Sequence, residues 1–180
     1  MTRVLVPLAQ GCEEIEAVTI IDILRRAGIM VISAGLNAQP VRASRNTVLI
    51  PDTTLDEALK QTFDMVVLPG GQPGANNLQA DTRITSLLQK MSKQGQYVCA
   101  ICAAPAVLAK AGILENKHAT SYPGALKGYD KIKLESSAIV EDGKIITSRG
   151  PGTAMDFALL LVERLAGKAK REEVETALVR

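Results

Sequence analysis

Apolar runs of strand length alternate with longer stretches of helical periodicity along the whole chain, and few architectures accommodate that order. Residues 3–9 read as a strand, 14–27 as a helix and 29–34 as a strand, followed by a polar hairpin-like stretch over 41–50. A capping box, Thr54-x-x-Glu57, opens a helix ahead of a strand at 64–69. Then come a helix over 81–93, a strand running into Cys102, and a helix to Ala111 stopped by Gly112. Strands at 137–140 and 144–148 join around Asp142-Gly143, and helices cover 153–165 and 171–178. Such alternation predicts an α/β protein: a doubly wound, mainly parallel sheet with helices on both faces. Sites in that architecture lie at the carboxyl ends of strands. Three segments fall there: Gln10 to Glu16, Pro69 to Gly74, and the turn at Cys102.

The 180 residues are 47% apolar, which fits one domain over 1–180 with a core that needs no staples. A net charge of +2 and 3% aromatics give neither the phosphate-neutralising nor the base-stacking footprint, so no nucleic acid is expected. No leader-like segment precedes the first strand and no apolar run approaches a membrane span, so a soluble, cytoplasmic protein with no membrane partner is expected. Three cysteines without framework spacing predict reduced thiols.

Cys102 follows a buried-strand pattern and precedes Ala103-Ala104-Pro105, a proline suited to opening a helix. A cysteine on that junction would sit on a sharp turn beside helix-start amides, and those amides favour the nucleophilic thiolate. The geometry is that of a nucleophile elbow, without its usual glycine pattern. Free cysteine is also often a small buried hydrophobe. Cys99 and Cys102 make a C-x-x-C, but with Cys99 in the strand their Cα atoms stand roughly 10 Å apart, beyond disulfide reach. With a single histidine, His118, and no second C-x-x-C, no metal site is expected.

Glu13, Glu14 and Glu16 suit the positive end of a helix dipole. At about 100° per residue, Glu16 shares its face with Ile20, Ile23, Leu24 and Ala27, while Thr19, Asp22, Arg25 and Arg26 lie opposite. Glu16 thus points coreward, where burial raises a carboxyl's pKa and lets it hold a proton beside Cys102. Gly70 and Gly71 serve a tight turn. If the Cys102 turn is adjacent, the Gly71 and Ala103 amides together would form an oxyanion hole.

Taken together, Glu13-Glu14-Ile15-Glu16, Leu68-Pro69-Gly70-Gly71, Ala100 to Pro105 and Thr147 to Thr153 resemble the DJ-one/ThiJ/PfpI superfamily. The likeness is to the branch with the Parkinson-disease-associated protein and bacterial YajL, and it spans nearly the whole chain. It implies a flavodoxin-like fold, usually homodimeric, with Cys102 as the reactive cysteine, Glu16 as its carboxylate partner, and Gly71 and Ala103 as oxyanion amides. Ser44-Arg45 and Arg26 would form a basic edge of the pocket near the dimer interface, with Gly70, Tyr122 and Cys12 also at the pocket. The implied chemistry is cofactor-free, taking small 2-oxoaldehydes such as methylglyoxal to hydroxy acids, with a disputed deglycase activity. The rival role for the same residues is oxidative-stress sensing with redox-regulated chaperone activity. An amidase or isonitrile-hydratase-like hydrolase is a third.

Two departures matter. The peptidase branch carries histidine directly after the cysteine, where this chain has Ala103, which disfavours proteolysis. Close relatives often place a pocket histidine where this chain has Tyr122, a poor base near neutral pH. His118 reads as an ordinary surface or strand residue. Cys12, at the end of the first strand, is a candidate resolving thiol.

Overall fold

The computed structural model describes residues 2–180. In chain order its strands are β1 (Arg3–Leu8), β2 (Met30–Gly35), β3 (Val41–Arg42), β4 (Val48–Leu49), β5 (Thr53–Thr54), β6 (Met65–Leu68), β7 (Tyr97–Ile101), β8 (His118–Ala119), β9 (Lys133–Leu134), β10 (Ile139–Asp142) and β11 (Ile145–Ser148). The helices are α1 (Glu14–Arg26), α2 (Leu55–Ala58), α3 (Gly74–Ala80), α4 (Thr82–Lys93), α5 (Pro105–Lys110), α6 (Ala154–Ala166) and α7 (Lys168–Ala177).

Seven strands form one sheet in the order β10-β11-β7-β6-β1-β2-β5. All neighbours pair parallel except β10 with β11. The run β2-β1-β6-β7-β11 is the 2-1-3-4-5 order of flavodoxin-like sheets, with its switch point between β1 and β6. Four residues of β6 and the last four of β7 are buried without alternation. That is the signature of strands covered on both faces. The α1 helix lies against α6, which carries α7, while α3, α4 and α5 pack on one another as a separate layer.

Strand and helix boundaries follow the sequence expectation to within a few residues, including the β3–β4 hairpin and the helix starting at Pro105. Helix α2 is shorter than its cap predicted. Thr54 Oγ1 does accept from Glu57 N–H, at 3.4 Å, but the Glu57 carboxylate turns to Lys60 Nζ at 2.6 Å, so the capping box is half formed. Helix α3 was not expected. Gly74, Asn76 and Asn77 are weak helix formers, and burial of Ala75 and Leu78 supplies what propensity does not. The two-residue strands β5, β8 and β9 are too short to leave a period in the sequence. His118, in β8, is exposed and its Nδ1 faces Glu135 Oε1 at 2.6 Å, an ordinary strand-edge pair. Among the described residues no helix is long and apolar enough to cross a membrane.

Candidate active site

Because β1, β6 and β7 are neighbours, the three loops singled out in the sequence meet at their carboxyl ends. Two glycines make the meeting possible. A Cβ on Gly70 would lie 2.7 Å from Cys102 Cβ, and one on Gly71 would lie 2.4 Å from the Glu13 nitrogen. Gly71 is also left-handed, at φ +84°.

Cys102 itself has φ +64°, a conformation that a non-glycine residue holds only when its surroundings impose it. They do so by backbone bonds on both sides. Cys102 N–H donates to Ser148 O at 2.9 Å, and Tyr122 N–H donates to Cys102 O at 2.8 Å. The strand is thus pinned to the end of β11 while the chain turns sharply into α5. The expected elbow is present, and the nearby N–H groups of Gly71 and Ala103 act on its sulfur to favour the thiolate.

Glu16 is fully buried, along with Ala17, Ile20, Ile23 and Leu24 of the same helical face. Its Oε2 accepts from Gly70 N–H at 2.7 Å. The carboxyl also interacts with the Cys102 thiol, while Oε1 lacks a partner in ordinary hydrogen-bond geometry.

Burial raises the Glu16 pKa to about 7, against the pull of the Gly70 amide and the thiol. Burial also pushes the Cys102 thiol up to about 12, the Glu16 negative charge adding to it and the Gly71 and Ala103 amides opposing. This corrects the expectation that the helix-start amides favour the thiolate, since here they are outweighed. With Glu16 ionised, the amides lose to desolvation and like charge. Once Glu16 holds the proton, the repulsion disappears and a carboxyl O–H faces the sulfur, so the two ionisations are coupled.

The raised carboxyl has a thermodynamic cost. Between about pH 4.5 and pH 7 the unfolded chain releases the Glu16 proton while the folded protein keeps it, so stability falls as pH rises through that window. At pH 8, Glu16→Gln is therefore expected to be more stable than wild type by on the order of 3 kcal/mol. The gain should nearly vanish at pH 4.5. Urea unfolding at both pH values checks this, and an equal gain at both would show that shape rather than charge is responsible.

Tyr122 and Cys12 flank the pair, while Arg45 is held at the start of α1. Glu14 accepts from the Arg45 N–H at 3.0 and 3.1 Å and from Ser44 Oγ at 3.1 Å, which ties the β3–β4 turn to the start of α1. Tyr122 is half exposed, next to the Cys102 carbonyl that its own N–H binds. Arg26 does not join this group. It lies ten residues beyond Glu16, about 15 Å along α1, with Nε on Asp22 at 2.6 Å, and the Arg45 guanidinium turns to Ser44 O at 3.3 Å.

Cys12 is fully buried and its thiol is pushed up to about 12, first by burial and then by Glu14 and Glu13. The Gly71 backbone packs directly against Cys12, on the loop that separates it from Cys102. Without rearrangement of that loop it does not serve as a resolving thiol. Cys99 lies inside β7 and is fully buried; all three cysteines are free. Among the described residues no cluster of three His, Cys, Asp or Glu side chains has a metal-binding arrangement.

Exposure separates the thiols, since Cys102 keeps 7% of its surface and the other two keep none. Mild peroxide is therefore expected to oxidise Cys102 first. Peptide mass spectrometry finding Cys12 or Cys99 modified ahead of it would contradict this order.

Sequence reasoning did not single out Ser148, whose carbonyl anchors the elbow, or the capping role of Glu13. The first is a backbone contact and leaves no side-chain signal. The second could have been read from a carboxylate three residues before Glu16.

The strand order and the left-handed cysteine turn place the chain among flavodoxin-like α/β proteins with a side chain presented at the carboxyl edge of the sheet. Within that class it belongs to the DJ-1/PfpI family, whose family-wide profile matches residues 2–164. It is similar to Protein dj-1beta of Drosophila melanogaster, 45% identical over 180 residues, covering 97% of this chain and 95% of that protein. The solved structure of Drosophila melanogaster DJ-1beta matches with a TM-score of 0.95 at 44% identity, over 99% of this chain and 97% of that one. A Caenorhabditis elegans relative named Glutathione-independent glyoxalase DJR-1.2 is 37% identical, covering 89% of this chain and 87% of its own.

Proposed function

We propose that the protein is a cofactor-independent cysteine enzyme that converts small 2-oxoaldehydes to 2-hydroxy acids, methylglyoxal to lactate being the simplest case. The observation that carries this reading is the Glu16–Cys102 pair: a carboxyl whose pKa lies near 7, buried beside a sulfur on a strained turn. A group poised near the working pH both takes and returns a proton, which is what general acid–base chemistry requires. The worm relative's name is consistent with the same substrate class.

The steps follow from the geometry. With the shared proton on Glu16, the Cys102 thiolate adds to the aldehyde carbon, forming a C–S bond. The electron pair of the C=O becomes an alkoxide beside the sulfur, where the Gly71 and Ala103 amides already point. The Glu16 proton neutralises that oxygen. Ionised Glu16 then removes the hydrogen on the former aldehyde carbon as a proton, giving an enediolate. Return of that proton to the neighbouring carbon, with the hydroxyl proton passing to the adjacent oxygen, produces a 2-hydroxyacyl thioester. Water cleaves the C–S bond, releasing the acid and restoring the thiol. The substrate gains one water, with one carbon oxidised and its neighbour reduced, so no external electron acceptor enters.

We also propose that the protein works as a homodimer. Ile15 and Val18 on α1 and Val48 and Ile50 on and beside β4 are exposed apolar side chains close to the Glu14–Arg45 contact. Burying them against a second copy would shelter the site. Purified protein incubated with methylglyoxal and assayed for lactate tests the enzymatic reading. No lactate above a protein-free control would overturn it.

A further inference from the structure

The Gly70 peptide is gripped on both sides by the first turn of α1. Glu13 N–H donates to Gly70 O at 3.0 Å, and Gly70 N–H donates to Glu16 Oε2 at 2.7 Å. Glu16 N–H in turn donates to Glu13 Oε2 at 3.0 Å. The three bonds close a ring through Glu13, Gly70 and Glu16. The amide that follows, Gly71, is one of the two directed at the Cys102 sulfur.

Resting on the reading of Glu16 and Cys102 as the working pair, we propose that Glu13 is a positioning residue for that pair. Its backbone holds the Gly70–Gly71 loop, its carboxylate caps the helix that carries Glu16, and its charge keeps the shared proton on the pair.

Capping alone would be served by Ser, Asn or Asp. What a carboxylate adds is a fixed negative charge one turn from a buried acid. A helix start favours ionised carboxylates, so α1 by itself draws Glu16 toward losing its proton. Glu13 opposes that tendency. The ionisable groups acting on Glu16 are Cys102, from the β7–α5 turn, and Glu13, from its own helix. Cys12, beside Glu13 at the end of β1, is kept protonated chiefly by burial.

The test is the rate of iodoacetamide alkylation at Cys102, followed by peptide mass spectrometry from pH 5 to 10 in the full-length protein. Glu13→Gln keeps an oxygen to cap the helix but removes the charge. Its alkylation midpoint is expected to move to lower pH by about half to one unit, with the high-pH plateau within twofold of wild type. Glu13→Asp keeps both charge and cap and should retain the wild-type midpoint. Glu13→Ala should show the lowered midpoint and a plateau reduced several-fold, because losing the side-chain cap on Glu16 N–H loosens the first turn of α1, which carries both holds on Gly70. A Glu13→Gln profile that superimposes on wild type overturns the proposal, as does a Glu13→Ala plateau equal to that of Glu13→Gln. Should the alanine variant fold poorly, the glutamine variant decides alone. Alkylation consumes no aldehyde, so absence of lactate formation in wild type counts against the enzyme, and the midpoint shift separately decides the role of Glu13.

Discussion

Cys102→Ser is expected to abolish methylglyoxal consumption, whereas Cys99→Ser keeps most of it at temperatures where the fold holds. The two residues are three apart and both buried, yet their surroundings differ in kind. Cys102 stands on a left-handed turn with two amides at its sulfur and a protonatable carboxyl beside it. Cys99 lies within β7, fully enclosed by the sheet, with burial pushing its thiol far above its ordinary range. A serine hydroxyl at 102 would occupy nearly the same space but loses the proton far less readily than a thiol, and Glu16 is too weak a base to take it. The rate should fall on the order of 10⁴-fold or more, the scale seen when an enzymatic nucleophile is removed. Lactate formation and methylglyoxal loss, measured together, check it. Equal losses in both variants would sink the single-nucleophile account.

The second large effect is expected at Glu16. Glu16→Gln preserves shape and an oxygen for the Gly70 N–H, but an amide cannot accept and return a proton at neutral pH. Turnover should therefore drop by roughly 10²–10⁴-fold, the usual cost of losing a general acid–base group. Alkylation of Cys102 by iodoacetamide should persist, and the negative charge that raised the thiol is gone. The two rates measured side by side separate enzyme from sensor. If Cys102 were only an oxidisable sensor, any slow aldehyde reaction would be incidental, and turnover and alkylation would change together by small factors. Parallel small changes would therefore remove the acid–base role from Glu16.

Much of this site was legible in the chain because the signals involved are local. The spacing of Glu16 from Ile20, Ile23 and Leu24 puts it on the buried face of α1 whatever that face packs against, and it is buried. The passage from an apolar run into small residues and Pro105 marks a strand-to-helix turn, since those residues allow little else, and Cys102 sits on it. Alternation of strand and helix periods implied the doubly wound sheet, in which β1, β6 and β7 end on one edge.

Other features depended on where distant segments meet. Whether Cys102 carries a thiolate could not be read from its amides. The answer lies in the balance of burial, the Glu16 charge and two N–H groups from different loops, and burial with the carboxylate outweighs the amides and raises the thiol. Arg26 left the site because helix rise carries it too far along α1, and Cys12 was separated from Cys102 because the Gly70–Gly71 loop fills the space between them. Helix α3 formed against its own propensity because Ala75 and Leu78 found a core to enter. Periodicity and residue type act within a few residues of chain, so the sequence by itself determined which elements form and which faces they bury. Desolvation, charge coupling and close backbone approach act across space, and only the tertiary structure decided how burial, the Glu16 carboxyl and the Gly70–Gly71 loop together set the protonation of Cys102.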